Sequence, residues 1–286
     1  MPNRIPSNNI LYSLYSKSRC LSRGKCRESM ESLDKSSLFC YNVKNVEEVS
    51  MLLFYIRHGE PVYKPDSLTP NGELQAEAIG RRLAKYGVDR VFSSTSNRAI
   101  QTARPTCRLL NKELTQLEFC RERHSFDAVA IENEQGKRGW MFENDRCRRL
   151  FTDPSVLSLG SNWYEHPAFG ENQIGEKLER IYHQADDFLR ELGYDHERGV
   201  GRYKVLRSNR ERVALFAHQG FGLLFMSFLL DIPFPQFCNH FDLCHSSMTV
   251  IDFQEIGEYA IPKLLTVSND GHLYHEQLSR QVYPEF

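Results

Sequence analysis

Two histidines in this sequence follow short apolar runs of the kind that form buried strands. His58 comes just after the run Met51–Ile56 and directly before Gly59, and His218 directly follows the run Val213–Ala217. A continuous apolar run of about four to eight residues is typical of a strand covered on both faces. Ligand sites in open α/β sheets lie at the carboxyl ends of such strands. The two imidazoles are therefore expected to meet in one crevice.

Two arginines accompany these histidines. Arg57 directly precedes His58, and Arg98 lies in a Ser- and Asn-rich segment that leads from a second strand into a helix. The first turn of a helix has backbone N–H groups without intrahelical partners, so such a turn next to an arginine suits an anion. Taken singly, each feature also has a purely structural interpretation. Either histidine could merely support the end of its strand, and Arg98 could be a solvated side chain on a capped helix. Their shared placement favours an anion-binding crevice.

The elements that position these residues alternate between strands and helices from Met51 onward. Thr69 and Pro70 are suited to begin a helix and Gly87 to end it. This alternation predicts an α/β fold, a three-layer α/β/α sandwich with a mostly parallel central sheet. The predicted strands cover 51–56, 88–93, 114–119, 212–217, 248–253 and 263–267, and the further helices cover 97–110, 178–192 and 221–230.

Composition excludes several classes of protein. The chain has 286 residues and a formal net charge of −1, so it has no overall field that favours nucleic acid or an anionic membrane. Its longest apolar run, 221–230, is about half of the ~20 residues that a bilayer span needs. The eight cysteines include no CxxC pair, which favours reduced thiols and a cytoplasmic location over a disulfide framework.

The first fifty residues differ from the rest. The stretch 1–29 is basic and rich in Ser and Asn, and Glu28 is its one acid. Such a segment buries too little apolar surface to offset its ordering entropy. We therefore expect 1–50 to be a disordered or spurious N-terminal extension, with a targeting segment as the alternative, and 51–286 to be the catalytic domain.

From Met51 to about Ser268 the sequence resembles the histidine phosphatase superfamily, in particular its phosphoglycerate mutase-like phosphatases. The resemblance covers about three quarters of the chain and depends on four blocks in a fixed order. These blocks are Arg57-His58-Gly59-Glu60, Leu68-Thr69-x-x-Gly72 with Gln75-Ala76, Ser93-Ser94 followed by Arg98-Ala99-x-Gln101-Thr102-Ala103, and the late His218.

The resemblance implies a phosphomonoesterase that acts through a phosphohistidine intermediate on a small phosphorylated metabolite. His58 is the implied nucleophile, and Arg57, Arg98 and His218 would surround the phosphoryl group. No metal or other cofactor is implied, because the side chains themselves supply the cations. One alternative is a phosphoglycerate mutase-type phosphoryl transfer, and another is a catalytically silent binder of phosphorylated ligands.

Three assignments within the resemblance depend on position. The general acid is expected to be a carboxylate after the third strand, and Glu122 fits better than its rival Glu118. Many relatives have Gly directly after the second histidine, whereas this chain has Gln219, which would narrow the pocket or contact substrate. His245 is expected to support the pocket through hydrogen bonds, because its neighbours His240 and Cys244 lack a recognised metal-ligand spacing.

The segment 120–173 lacks clear periodicity and is interpreted as an irregular lid insertion over the pocket, since loops over a rigid scaffold commonly set specificity. Its aromatic residues would line that lid, and its arginines would bind a second acidic group or form a solvated basic face. These residues are Trp140, Trp163, Tyr164, His166 and Phe169, with Arg146, Arg148 and Arg149.

Overall fold

The computed structural model describes residues 50–133, 135–170 and 173–279. All of them lie in one unit bounded by Glu47 and Phe286. The predicted N-terminal extension lies outside the described residues apart from Ser50, which begins the first strand.

A twisted sheet of eight strands forms the middle layer of the described part, in the order β5-β4-β10-β1-β11-β12-β9-β8. The four strands from β5 to β1 are parallel to one another, and the remaining neighbours pair antiparallel. Two small hairpins, β2-β3 and β6-β7, lie outside this sheet. The strands are β1 Ser50–Arg57, β2 Pro61–Tyr63, β3 Asp66–Leu68, β4 Arg90–Ser94, β5 Leu114–Leu117, β6 Ala130–Glu132, β7 Arg138–Trp140, β8 Tyr194–Glu197, β9 Arg202–Val205, β10 Arg212–Ala217, β11 Met248–Ile256 and β12 Tyr259–Asn269.

Helices cover both faces of the sheet, and the alternating side chains of β1 separate the two layers. Leu53 and Tyr55 point into a core shared with α3, α6, α7 and α8, whereas Phe54 and Ile56 pack with α1 and α2. The α/β/α sandwich predicted from the sequence is thereby confirmed. The helices are α1 Pro70–Tyr86, α2 Asn97–Leu110, α3 Glu122–Val129, α4 Asp145–Leu150, α5 Pro154–Leu157, α6 Ile174–Glu191, α7 Gln219–Leu229, α8 Phe234–His240 and α9 Gly271–His275.

Local signals in the sequence fix the first helix as expected. The side chain of Thr69 accepts a hydrogen bond from the Gly72 N–H, Pro70 occupies the first turn, and Gly87 ends the helix with a φ of 74°. That left-handed conformation favours glycine. The short strands β8 and β9 were not predicted, because they form an edge hairpin whose residues are largely charged. Tyr194 and Tyr203 are the buried residues of the two strands, and the side chain of His196 is also shielded from solvent.

The segment predicted as an irregular lid is instead largely helical. It contains α3, α4, α5 and several 3-10 turns, and Phe142, Phe151, Trp163 and Phe169 belong to the same core as Leu53 and Tyr55. Trp163 is 1% exposed, and its ring lies 5.5 Å from Phe151, 5.1 Å from Phe169 and 5.8 Å from Phe234. Large aromatic side chains gain most by leaving water, so Phe151, Trp163 and Phe169 stabilise the segment. Arg146, Arg148 and Arg149 are exposed on α4.

A further histidine with a buried side chain lies on the edge strand β8. The His196 ring on β8 lies between the carboxylates of Asp186 and Asp231, at 3.3 and 3.2 Å, and stacks on Tyr203. Burial lowers the pKa of His196, but the two carboxylates outweigh burial and raise the pKa above its usual value. The imidazolium form therefore stabilises the folded state.

None of the helices in the described residues is long and apolar enough to cross a membrane. The cysteines within the same part of the chain, Cys107, Cys120, Cys147, Cys238 and Cys244, carry free thiols.

Candidate active site

The carboxyl ends of β1 and β10 lie side by side, as the sequence predicted. Arg57 pairs in register with Ala217, and the His58 N–H donates to the Ala217 carbonyl at 3.0 Å. The imidazoles of His58 and His218 consequently lie 5.2 Å apart between ring centroids. The crevice that they form also receives Arg98 from α2.

The backbone holds the His58 ring in one tautomer. Nδ1 lies 2.7 Å from the Gly59 carbonyl oxygen, which can only accept, so Nδ1 carries the proton and Nε2 has the free lone pair. The turn is tight, because a Cβ at Gly59 would lie 2.7 Å from the Gly72 carbonyl oxygen. The Gly59 N–H donates to Thr102 Oγ1. A buried ring with an oriented lone pair is suited to nucleophilic attack.

Burial keeps both histidines neutral. It lowers the pKa of His58 well below its usual value, and the nearby His218, Arg57 and Arg98 lower that pKa further. Burial also lowers the pKa of His218, with Arg98 and Arg57 acting in the same direction. Since a protonated imidazole has no lone pair to offer, this environment preserves the nucleophilic form of His58 near neutral pH.

His218 is fixed through both its ring and its backbone. An Arg98 N–H donates to Nδ1 at 3.1 Å, so Nε2 carries the ring proton and donates to Ser94 Oγ at 2.8 Å. The Tyr55 hydroxyl donates to the His218 carbonyl at 2.6 Å and accepts the His218 N–H at 3.1 Å. These contacts fix the ring before any ligand binds.

Each of the two guanidinium groups is held by hydrogen bonds to different partners. Arg57 donates to the Leu243 carbonyl and to His245 Nε2, at 2.5 and 2.8 Å. His245 therefore supports the pocket through a hydrogen bond. Both arginines are largely buried, with Arg57 only 5% exposed. Two buried cations beside a neutral nucleophile favour an anionic ligand.

The amino terminus of α2 is already occupied by a carboxylate. Asp66, on the β2-β3 hairpin, accepts the Asn97 N–H through Oδ2 and an Arg98 N–H through Oδ1, at 2.8 and 2.7 Å. The anion site predicted from the sequence at this helix turn therefore holds Asp66. Asp66 in turn orients Arg98 toward His218.

Glu122 and Glu118 occupy different surroundings. Glu122 begins α3, and its carboxyl accepts the Gly220 N–H at 2.9 Å and lies 3.1 Å from His218 Nδ1. The Glu118 side chain is 56% exposed and binds Thr95, with Arg121 nearby. Of the two carboxylates, Glu122 is the one that contacts the histidine pair.

Gln219 is the residue that replaces the glycine of many relatives. Its Nε2 donates to Asp242 Oδ1 at 2.5 Å, and the same oxygen accepts the Leu243 N–H at 2.6 Å. The Leu243 carbonyl is bound by Arg57. The hydrogen bond between Gln219 and Asp242 thus joins the start of α7 to the segment whose carbonyl holds Arg57.

Within the described residues, His58, Glu122 and His218 are the group whose ligand atoms, all within 4.8 Å, could hold a metal ion. An Arg98 N–H lies 3.1 Å from His218 Nδ1, and the charges of Arg57 and Arg98 lower the pKa of both histidines, so the two guanidinium groups oppose a cation here. His240, Asp242 and Cys244 do not form such a group in this part of the chain.

Sequence reasoning missed two contributors to the site. Asp66 had no motif to mark it, and Tyr55 was seen only as part of an apolar strand. Trp140 was assigned to the lid in general terms, but its indole lies directly against Gly220 and Glu122, since a Cβ at Gly220 would lie 2.6 Å from Trp140 Cζ3 and 2.8 Å from Glu122 Oε1.

Comparison with known proteins places this geometry in context. The sequence profile of the histidine phosphatase superfamily (branch 1) matches residues 53–261. A phosphoserine phosphatase from Entamoeba histolytica, crystallised with 3-phosphoglyceric acid, has a TM-score of 0.51 and 20% identity, over 78% of this chain and 99% of that one. A mycobacterial glucosyl-3-phosphoglycerate phosphatase has a TM-score of 0.49 and 18% identity, over 77% and 99%. At these identities the likeness concerns the fold. No curated protein sequence matches this chain.

Proposed function

Because the chain belongs to the histidine phosphatase superfamily (branch 1), we propose that it is a phosphoric monoester hydrolase that acts on a small phosphorylated metabolite. Membership in that superfamily confirms the resemblance found in the sequence. One observation carries the proposal: the Nε2 lone pair of His58 lies in a crevice with two arginines and a second neutral histidine, and a carboxyl group stands beside it.

In the proposed first step, His58 Nε2 attacks phosphorus and an N–P bond forms while the bond from phosphorus to the alcohol oxygen breaks. Glu122 gives its proton to the departing oxygen. Water then attacks the phosphohistidine and passes a proton to Glu122 as the N–P bond breaks. Inorganic phosphate leaves, and His58 regains its lone pair. The covalent route divides one difficult displacement into two easier ones.

The position of Glu122 supports its role as the general acid. Its carboxyl lies 3.1 Å from His218 Nδ1, which is a lone-pair acceptor because burial lowers the pKa of His218. The proposed first step requires Glu122 to carry a proton when the substrate binds. A carboxylic acid in this position, beside the histidines and arginines of the crevice, can protonate a leaving group.

Side-chain cations support the proposal that no metal is required. The phosphoryl oxygens would bind Arg57 and Arg98, with His218 beside them, and phosphoryl transfer depends mainly on such positioning and charge. Gln219 would contact the remainder of the substrate. We also place the protein in the cytoplasm, a location supported by the five free thiols in the described part of the chain.

The test is phosphate release from a panel of phosphate monoesters in the presence of a chelator. We expect release by the wild type and none by His58→Ala, while His183→Ala, which changes an exposed histidine on α6, behaves as wild type. Quenched turnover should trap an acid-labile phosphoenzyme only when His58 is present. Release by His58→Ala would refute the nucleophile assignment, and interconversion of phosphoglycerates without release would indicate a mutase.

A further inference from the structure

The site has a wall on the side where the alcohol part of a substrate would lie. This inference rests on the proposed function: if Glu122 protonates the departing oxygen, the group bonded to that oxygen must lie beside Glu122. Trp140, Gln219 and Asp242 border this position, and we call them the leaving-group wall.

Trp140 forms the apolar part of the wall. Its Cζ3 atom would lie 2.6 Å from a Cβ at Gly220, whose N–H donates to Glu122. The indole is supported by Phe126, edge-on at 4.9 Å, and by Phe142, stacked at 5.1 Å. A ring held on two sides keeps one orientation, so it offers a fixed surface to the carbon skeleton of a leaving alcohol.

Gln219 and Asp242 form the polar part of the wall. The 2.5 Å hydrogen bond between them joins the start of α7 to the segment before Leu243, whose carbonyl holds Arg57. Asp242 also accepts the Leu243 N–H, which fixes the carboxylate beside the phosphate-binding arginine. A carboxylate in this position accepts hydrogen bonds from hydroxyl or amino groups and repels anions.

Glu143 adds a second acidic group at the same place. It follows Trp140 and Phe142 in a 3-10 turn. Burial raises the pKa of Glu143, the nearby Asp242 raises it further, and Arg57 opposes both. Glu143 therefore lies within electrostatic reach of Asp242 and Arg57, and it lines one cavity together with Trp140. Arg138 lies on β7 together with Trp140. Its guanidinium is 3.7 Å from the Asp127 carboxylate and lies over the Phe126 ring.

We propose that the leaving-group wall selects phosphate monoesters of uncharged, hydroxyl-bearing alcohols against substrates that carry a second anionic group near the ester. A carboxylate or second phosphate two or three carbons from the ester oxygen would face Asp242 and Glu143. A hydroxyl at the same distance would donate to Asp242 while its carbon skeleton packs on Trp140.

The test compares glycerol 3-phosphate with 3-phosphoglycerate, which share a three-carbon skeleton and differ in a terminal hydroxymethyl or carboxylate group. We expect kcat/KM for glycerol 3-phosphate to exceed that for 3-phosphoglycerate by about tenfold or more. Asp242→Asn and Glu143→Gln should each reduce this ratio by about fivefold. Glu113→Gln, which removes an exposed charge beside β5, should leave the ratio unchanged.

p-Nitrophenyl phosphate separates failure of the inference from failure of the proposed function. No release from any of the three esters would refute the hydrolase itself. If the aryl ester is hydrolysed but glycerol 3-phosphate is not preferred over 3-phosphoglycerate, the proposed selectivity is refuted. An unchanged ratio in both Asp242→Asn and Glu143→Gln would also refute it. Two independent positions keep the test decisive if circular dichroism shows that one variant misfolds.

Discussion

Gly220→Ala is the substitution that tests most directly whether Glu122 and Trp140 act together. Gly220 lies in the first turn of α7, where its N–H binds the Glu122 carboxyl. An added methyl group would lie 2.6 Å from Trp140 Cζ3 and 2.8 Å from Glu122 Oε1. Ordinary contacts between carbon atoms are about 3.5–4.0 Å. The indole, the carboxyl or the helix turn must therefore move by about 1 Å.

The size of the effect follows from that displacement. Overpacking a filled site typically costs about 1–3 kcal/mol of stability, partly offset by the ~1 kcal/mol that alanine gains over glycine in a helix. Moving a catalytic group by about 1 Å can reduce turnover by about 100-fold. We therefore expect Gly220→Ala to lose little stability but to lose activity by about 30- to 100-fold.

The assay measures kcat for an alkyl phosphate and for p-nitrophenyl phosphate, together with Tm. The alkyl ester depends on a proton from Glu122, so its hydrolysis should be reduced more. Gly139→Ala, on the neighbouring hairpin, is the control, because nothing lies within 4 Å of a Cβ there. If Gly220→Ala retained wild-type kcat on the alkyl ester, the proposed contact between the general acid and the wall would be refuted.

Three further predictions concern the general acid, the buried histidine on β8 and the N-terminal residues. Glu122→Gln should slow alkyl phosphate hydrolysis by about 100-fold and p-nitrophenyl phosphate far less, and the same pattern in Glu118→Gln instead would move the assignment. His196 has a raised pKa in the folded state, so its stabilising effect is complete below pH ~6.5 and is lost as pH rises through the folded pKa. The difference in Tm between wild type and His196→Gln should therefore shrink from pH 6 to pH 9, and a constant difference would contradict the imidazolium assignment. Deleting 1–49 should leave kcat/KM and Tm nearly unchanged, since every proposed site residue lies beyond Ser50; a large loss of either would show that those residues stabilise the domain.

Local patterns in the sequence were sufficient to predict the strands of the parallel core and the residues at their ends. An apolar run followed by Arg57 and His58 is visible in a window of eight residues, and the Thr69 cap in a window of four. Long-range partners leave no such trace. Tyr55 contacts His218 across 163 positions of the chain, and nothing near Tyr55 distinguishes it from another buried strand residue.

Choosing between Glu122 and Glu118 required three-dimensional geometry. Both residues follow β5, but a 3-10 turn lies between β5 and α3. That turn leaves Glu118 in solvent, whereas Glu122 faces His218. The helices of the segment 120–173 were not predicted for a related reason. They are short and stabilised by aromatic packing with α8, so they show little of the periodicity that a longer amphipathic helix would show.

The division of the site between two sheets has a consequence for how such a protein could diverge. Of the residues proposed to bind phosphate, Arg57, His58 and His218 lie at the ends of paired strands of the eight-stranded sheet, where a change would disturb several hydrogen bonds at once. Trp140, by contrast, ends a two-stranded hairpin that pairs with no strand of the main sheet. Substitutions or length changes in that hairpin could alter which alcohol is accepted while the phosphoryl chemistry stays intact. A lineage could thus change the apolar part of its substrate preference through this hairpin.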